Sequence, residues 1–213
     1  GAGWLASDYE QSGIACDPPA VRVERMAEGL AVMKSLWESG SATFEGEHYR
    51  VTGAVGFPLP HQRPHPPVII GGGSPRVLAI AAREADVVGL NPRLTAGRVG
   101  PEVVATTSAE HYDQRLRWVK EAAGDRFDRL ELQCLTFVVQ VTDDRTAAIE
   151  HLAATLSVAP EQLEGTPICL IGSVKEIVEV LERRRERFGF NYVVVHEGEM
   201  EDFAGVVDAL AGR

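Results

Sequence analysis

Short runs of β-branched residues alternate with helical patterns along most of this chain, and this alternation limits its fold more than any other feature. Continuous apolar runs lie near residues 68, 86, 132 and 192, and the segments between them carry apolar residues at helical spacing. Strands without polar alternation are buried on both faces, as in a parallel sheet covered by helices. The sequence therefore predicts an α/β fold with βα units built on these four runs, spanning residues 67–213.

Capping residues set several of the predicted boundaries. Ser74 followed by Pro75 is a helix start, because serine accepts a hydrogen bond at the N-cap and proline needs no partner at the first helical position. Ser173 and Glu176 have the spacing of a capping box. Residues 130–141 form an apolar run that we interpret as one long strand.

The first third of the chain has a different pattern. Residues 20–37 carry apolar side chains at helical spacing, and residues 43–51 resemble a hairpin with its turn near Glu45 and Gly46. Residues 57–65 are rich in proline, which disfavours regular structure. We therefore predict a helix-hairpin insertion and a connector over residues 20–66.

The strongest local signal is a glycine turn between a strand and a helix, made by Gly71, Gly72, Gly73 and Ser74. Glycines let the backbone approach a ligand, and the free N–H groups of a first helical turn bind phosphate. The turn lacks the lysine of a P-loop, and Arg76 stands where a dinucleotide fingerprint needs its last glycine. We favour phosphate binding; the alternative is a tight turn without a ligand.

Polar residues follow two of the predicted strands. His196 comes after the last strand, and Asn91 and Arg93 follow the strand near residue 86. In a barrel of parallel strands the active-site groups gather at the carboxyl ends. These three residues are therefore candidates for a substrate pocket, with ordinary loop hydrogen bonding as the equal alternative.

Composition excludes several classes of function. The 31 acidic and 21 basic residues leave a net charge of −10, and without a basic stripe this argues against non-specific nucleic-acid binding. We interpret the run Arg183–Arg187 as the solvated face of a helix, paired with neighbouring glutamates. No apolar run reaches the ~18 residues of a membrane span.

Side chains that bind metals or form disulfides do not make a recognisable set. His61 and His65 flank the proline-rich connector without a carboxylate or cysteine to complete a metal site, so we predict a surface loop there and no metal. The three cysteines, Cys16, Cys134 and Cys169, are an odd number without CxxC spacing. They predict reduced thiols used in packing, in a cytoplasmic protein.

Several short motifs follow one another in an order that is specific as a set. They are Gly1–Trp4 with Asp8–Tyr9, Leu36–Trp37, Phe44–Tyr49, Pro64–Gly73, Ala81–Asp86, Leu170–Ser173 and Tyr192–Glu197. This order resembles the bacterial luciferase-like monooxygenase superfamily, and within it the oxidoreductases that depend on the deazaflavin coenzyme F-420. The resemblance covers essentially the whole chain.

The resemblance implies a TIM (β/α)8 barrel that binds a flavin or deazaflavin at the carboxyl mouth of its strands. It implies that Gly72, Gly73 and Ser74 hold the cofactor phosphate, and that Gly3 and Trp4 lie beside the cofactor. Some relatives carry a catalytic glutamate where Trp4 stands, so we assign no catalytic residue. Because Gly1–Trp4 follows the fourth strand in the family, we expect residues 1–213 to be the C-terminal part of one barrel domain that lacks its N-terminal strands.

The expected function follows from this resemblance. It implies an oxidoreductase that transfers hydride between F-420 and a small organic substrate, as a homodimer in the full-length protein. An FMN-dependent monooxygenase is the enzymatic alternative, since the residues that distinguish the two rings lie mainly in the strands expected upstream. A non-catalytic flavin-binding relative is the alternative from another class.

Overall fold

A computed structural model describes residues 1–94, 97 and 101–212. Its helices are α1 (Ala6–Ser12), α2 (Pro19–Ser39), α3 (Pro75–Glu84), α4 (Pro101–Val104), α5 (Ala109–Ala123), α6 (Arg145–Leu156), α7 (Pro160–Leu163), α8 (Val174–Phe188) and α9 (Met200–Leu210), with short 3-10 helices at Gly124–Arg129 and Glu197–Glu199. Its strands are β1 (Ser41–Glu45), β2 (Arg50–Val55), β3 (Ile69–Gly72), β4 (Val87–Leu90), β5 (Glu131–Leu135), β6 (Val138–Val141), β7 (Cys169–Gly172) and β8 (Phe190–Val194). Among the helices described, none is long and apolar enough to cross a membrane.

The centre of the molecule is a parallel sheet with strand order β3-β4-β5-β8. Two further parallel strands, β6 and β7, pair with each other, and β1 and β2 form an antiparallel hairpin. Helices connect the parallel strands, as the crossover between parallel neighbours requires. The predicted α/β class is confirmed.

The single long strand predicted over residues 130–141 is wrong. The chain forms β5 and β6 instead, because its backbone changes partner between them. The Thr136 N–H donates to the carbonyl of Val194 in β8. The next N–H, that of Phe137, donates to the carbonyl of Ile168, the residue directly before β7. A continuous apolar run does not show that two successive halves bond to different neighbours.

The prediction of four strands also missed β7, so the described residues contain six parallel strands and not four. Each residue of β7 is buried, and the strand has only four residues, Cys169–Gly172. A run this short has no measurable period, so it was overlooked although the capping box at Ser173 marks a helix start directly after it.

The predicted helix starts are confirmed. The Ser74 hydroxyl accepts a hydrogen bond from the Val77 N–H at the start of α3, and Ser173 and Glu176 form the capping box of α8. The helix predicted over residues 20–37 is α2, one or two residues longer at each end.

The predicted hairpin is present as β1 and β2, and its turn is held against α2 by one carboxylate. Glu28 accepts hydrogen bonds from the backbone N–H groups of Glu47, His48 and Tyr49 at 2.9 to 3.0 Å. Burial alone would raise the pKa of Glu28, but these donors outweigh it and the pKa is lowered. The hairpin is therefore anchored to α2, the helix that precedes it.

The two faces of the central sheet differ. Ile70, Val88, Leu132 and Phe190 form a row across the strands and belong to the apolar core shared with α3 and α5. The next row, on the opposite face, begins with Gly71, Gly89 and Gln133. The helix-covered face is filled with large side chains, and the other face has its smallest residues near the carboxyl ends of β3 and β4.

Candidate functional site

The glycine turn lies at the carboxyl end of β3, against the segment that follows β4. A methyl group added to Gly71 would lie 2.7 Å from the Asn91 Nδ2 atom, and one added to Gly73 would collide with the carbonyl oxygens of Asn91 and Pro92. None of the three glycines has a positive φ. Close approach explains these glycines, to the backbone of Asn91 and Pro92 at Gly73 and to side chains at Gly71 and Gly72, and no left-handed conformation is involved.

The N-terminus of α3 provides the donors of this turn. Pro75 has no N–H and the Val77 N–H donates to the Ser74 hydroxyl, so the Arg76 N–H is the first-turn backbone donor without an intrahelical partner. The side chain of Arg76 lies elsewhere, with its Nη2 atom 2.6 Å from Glu24 Oε1. Hydrogen bonds from Arg76, and then from His48, lower the pKa of Glu24. An anion at this turn would therefore meet mainly backbone donors and the Ser74 hydroxyl.

Asn91 and Arg93 lie next to the glycine turn, at the carboxyl end of β4. The Asn91 N–H donates to the Gly72 carbonyl at 3.0 Å. Within the part of the chain that the structure describes, the buried Oδ1 atom of Asn91 has no hydrogen-bond partner. Arg93 is exposed, and its backbone N–H donates to the Thr106 hydroxyl at 3.2 Å. Asn91 thus presents an unpaired acceptor beside Gly71.

Gly3 and Trp4 form a second group, which contacts α2. Gly3 has a φ of 75°, and any side chain there would collide with the Tyr9 hydroxyl. Its carbonyl accepts a hydrogen bond from Arg22 at 2.6 Å. The side chain of Trp4 is 38% exposed.

A hydrogen bond links the two groups. Gly97, which follows Arg93 in the chain, accepts it through its carbonyl from the Ala6 N–H at 3.2 Å. A cleft of about 600 Å3 lies beside Gly3, between α1, α2 and Tyr49 of the hairpin turn, and the glycine turn does not line it. The predicted cofactor residues therefore lie in neighbouring segments and not around one cleft.

His196 lies apart from the other substrate candidates. It follows β8, which is two strands from β4 in the sheet, so about 10 Å separates the two strands. His196 is exposed, and its ring centre is 6.5 Å from that of Phe137. The structure brings Asn91 to the glycine turn and leaves His196 at the far end of the same edge.

Gln133 is a polar residue near the site that the sequence analysis missed. It is 7% exposed, on the same sheet face as Gly71 and Gly89. Its Oε1 atom lies 2.5 Å from where a Cβ of Gly89 would stand, so the amide extends over that glycine. A glutamine inside the apolar run of β5 was the visible signal, but only the strand register shows which residues it meets.

Arg115 was also missed, and it holds Thr106, whose hydroxyl accepts a hydrogen bond from the Arg93 N–H. It is 2% exposed, donates to the Thr106 carbonyl at 2.8 Å and lies 5.0 Å from the centre of the Tyr112 ring. Burial lowers the pKa of Arg115. An arginine in an amphipathic helix is expected at the surface, so its burial was not predictable from periodicity.

The run Arg183–Arg187 is not wholly solvated, which corrects the sequence interpretation. Arg184 is 8% exposed and donates to the carbonyls of Thr166, Pro167 and Cys169 at 2.7 to 2.9 Å. The run is long enough that one of its members faces inward on α8. There the guanidinium satisfies carbonyls that have no strand partner.

The three cysteines differ in their burial. Cys134 and Cys169 are buried, and burial raises their pKa values to about 12 and about 11. Cys16 is exposed, so the packing role predicted for it is wrong.

The His65 ring contacts the Pro66 carbonyl at 2.8 Å, and within residues 1–94, 97 and 101–212 no group of three or more metal-binding side chains occurs.

Comparison with known proteins adds a family to this geometry. A sequence model described as luciferase-like monooxygenase matches residues 1–167. The chain belongs to this family. The resemblance found in the sequence is therefore confirmed.

Two curated relatives use different cofactors by name. The chain is 29% identical over 155 residues to the F-420-dependent glucose-6-phosphate dehydrogenase of Nakamurella multipartita, covering 72% of this chain and 42% of that protein. It is 29% identical over 85 residues to the FMNH2-dependent dimethylsulfone monooxygenase of Pseudomonas putida, covering 40% and 23%. The chain thus spans less than half the length of these relatives.

Solved structures confirm the fold. An F-420-dependent secondary alcohol dehydrogenase in complex with an F-420–acetone adduct superposes with a TM-score of 0.67 at 17% identity, covering 95% of this chain and 66% of that one. A long-chain alkane monooxygenase superposes with a TM-score of 0.68 at 16% identity, covering 97% and 60%. The chain has the α/β fold of the luciferase-like barrel and is shorter than these neighbours.

Proposed function

We propose that this protein is an oxidoreductase that uses coenzyme F-420 to exchange hydride with a small organic substrate. The observation that carries the proposal is the glycine turn Gly71–Ser74, which places a capped helix N-terminus at the carboxyl edge of the parallel sheet. F-420 is preferred over FMN because the match to an F-420-dependent relative extends over 155 residues, against 85 for an FMNH2-dependent one.

The residues of the turn fit a phosphate group. Gly72 and Gly73 have no side chains to cover the first turn of α3, and Ser74 is half-buried. The Arg76 guanidinium is paired with Glu24, so the donors left for a ligand at this turn are backbone N–H groups and the Ser74 hydroxyl. The helix dipole adds a favourable field for an anion at this end.

The other candidate residues would act around the reacting atoms. When bound, the deazaflavin supplies the hydride acceptor or donor. Gly3 and Trp4 would lie beside it, where the indole offers an apolar surface that excludes water. Asn91, Arg93 and His196 would contact the substrate, with the unpaired Asn91 oxygen as a hydrogen-bond acceptor and Arg93 as a cation for an anionic group. No residue is assigned as proton donor.

An FMN-dependent monooxygenase is the second candidate. It is favoured by the match to the dimethylsulfone monooxygenase and by the likeness to the long-chain alkane monooxygenase. Both cofactors carry a phosphate, so the glycine turn suits either of them. A flavin-binding relative without catalysis would keep the turn and show no turnover.

The test is a fluorescence titration of the purified protein with F-420 and, separately, with FMN. We expect F-420 to bind more tightly. Tighter binding of FMN would support the monooxygenase, and binding of neither would refute the proposal. Turnover with candidate alcohols or sugar phosphates then separates an enzyme from a binding protein.

A matched pair of variants tests the turn itself. Ser74→Ala removes the cap of α3, and Ser108→Ala removes the equivalent cap of α5, where the hydroxyl accepts at the same 3.4 Å. Each should lower stability by about 1 kcal/mol. Only Ser74→Ala should also weaken cofactor binding. If both variants bind the cofactor with equal affinity, the cofactor phosphate does not bind at this turn.

The proposal extends to the assembly and location of the full-length protein. We expect a homodimer in the cytoplasm, which sedimentation and cell fractionation would check.

A further inference from the structure

A cleft of about 290 Å3 lies between α6 and α8, bounded by α7 and β7. Its lining includes Arg145, Arg183, Arg184 and Arg187. The glycine turn, Asn91 and His196 do not contribute to this lining. The cleft is therefore separate from the candidate cofactor site, and nothing in the proposed function uses it.

The charged side chains of this cleft have one sign. Among the described residues that line it, four are arginines and none is an aspartate or glutamate. This concentration stands out in a chain with a net charge of −10. Carboxylates outside the lining pair with three of these arginines, but the lining itself presents only positive side chains, which favours an anion as the occupant.

Carboxylates hold two of the arginines from outside the cleft. Arg145 pairs with Glu164 at 3.2 Å, and Arg187 pairs with Asp113 at 2.7 Å. Each guanidinium has five N–H donors, so these contacts leave donors for a ligand. A third arginine, Arg183, has only a distant carboxylate partner, at 3.9 Å. The pairs orient the arginines, and they do not place acidic groups in the lining.

The remaining lining is apolar. Ile149 and Leu163 come from the α6–α7 side, and Leu170 and Ile177 come from β7 and the first turn of α8. These four residues are almost fully buried, and the half-buried Val180 of α8 adds apolar surface that a ligand can reach. A ligand that uses the whole cleft must present a charged end to the arginines and a hydrocarbon part to this floor.

We propose that this cleft binds a small organic anion with an apolar body, of the size of a medium-chain carboxylate. Its carboxylate would pair with Arg145, Arg183 and Arg187, and its hydrocarbon part would cover the floor. The volume is close to the ~300 Å3 lower limit of ordinary ligand pockets, which excludes a nucleotide-sized molecule. Buried Arg184 contributes charge, since its hydrogen bonds already go to backbone carbonyls.

The experiment is calorimetric titration of the purified protein with octanoate, octylamine and acetate. Octanoate should bind. Octylamine has a similar apolar body but the opposite charge, and acetate has the charge without the body. We expect each of the two to bind at least about tenfold more weakly. Equal binding of octanoate and octylamine would overturn the proposal.

Two variants locate the site. Arg183→Gln should weaken octanoate binding by about fivefold, the effect of one exposed charge pair. Arg117→Gln removes the same charge from an exposed position of α5 outside the cleft, and should bind octanoate like the parent protein. Val180→Phe fills part of the cleft and should abolish binding. Unchanged affinity in both cleft variants would place octanoate elsewhere and refute the site.

Sedimentation of the same samples tests the competing occupant. If a second copy of the chain covers the cleft, Arg183→Gln will dissociate a dimer and the parent protein will not bind octanoate. That result would also overturn the proposal. Sedimentation that is unchanged by Arg183→Gln, together with octanoate binding, supports it.

Discussion

Two regions of this molecule bring backbone segments together by opposite means. At the carboxyl ends of β3 and β4, Gly73 has no side chain, so its backbone lies directly against the carbonyls of Asn91 and Pro92. Beside β7, the long side chain of Arg184 bridges the carbonyls of residues 166, 167 and 169. The first solution leaves backbone donors open at the sheet edge. The second fills its space with a side chain, and only the first is suited to hold a phosphate.

The largest effect should come from removing the bridge. Arg184→Met keeps much of the side-chain volume but removes the guanidinium donors from three buried carbonyls, of which that of Pro167 keeps a weak donor in the Cys134 thiol. We expect a loss of about 3 kcal/mol in the free energy of unfolding. Urea denaturation measures it, with Arg117→Met as the exposed control. A loss below about 1 kcal/mol would mean that water replaces the guanidinium and that the region is not held by this side chain.

A smaller loss of stability is expected when alanine replaces a glycine of the turn. Gly73→Ala forces a methyl group against two backbone carbonyls, which cannot move alone, so we expect a loss of about 2 kcal/mol. Gly71→Ala meets the side-chain amide of Asn91, which can rotate, and should cost about half as much. Gly198→Ala enters open space and serves as the control. Thermal unfolding of the three variants gives the order, and a reversed order would contradict this account of the turn.

The smallest effect concerns the thiols near Arg184. Burial raises the pKa of Cys134 to about 12 and that of Cys169 to about 11, from an ordinary 9.0. The folded state therefore keeps protons that the unfolded state loses above pH 9, so stability is full below pH 9 and falls as the pH rises. We expect about 1 kcal/mol for each thiol by pH 10.

Denaturation of alanine variants between pH 7 and 10 isolates this contribution. Cys134→Ala and Cys169→Ala should each flatten the decline, and Cys16→Ala, at an exposed position, is the control. Parallel curves for all three variants would show that the buried thiols do not titrate differently from free ones.

Local structure was largely predictable from neighbouring residues. The cap at Ser74, the capping box at Ser173 and the hairpin each depend on contacts within a few positions of the chain. The predicted long strand failed where the backbone of residues 136–138 changes partner, and Arg184 was misassigned because helical charge patterns do not show which arginine faces inward. These errors share one cause, since both depend on segments distant in the chain.

The sequence by itself determined the parallel α/β class, the family and the glycine turn, because strand hydrophobicity, motif order and helix caps are written in consecutive residues. Only the tertiary structure decided that Asn91 lies against Gly71, that Gln133 extends over Gly89 and that His196 stands two strands from β4. Strand register and order arise from packing of the whole sheet, and no local pattern encodes which side chains meet across it.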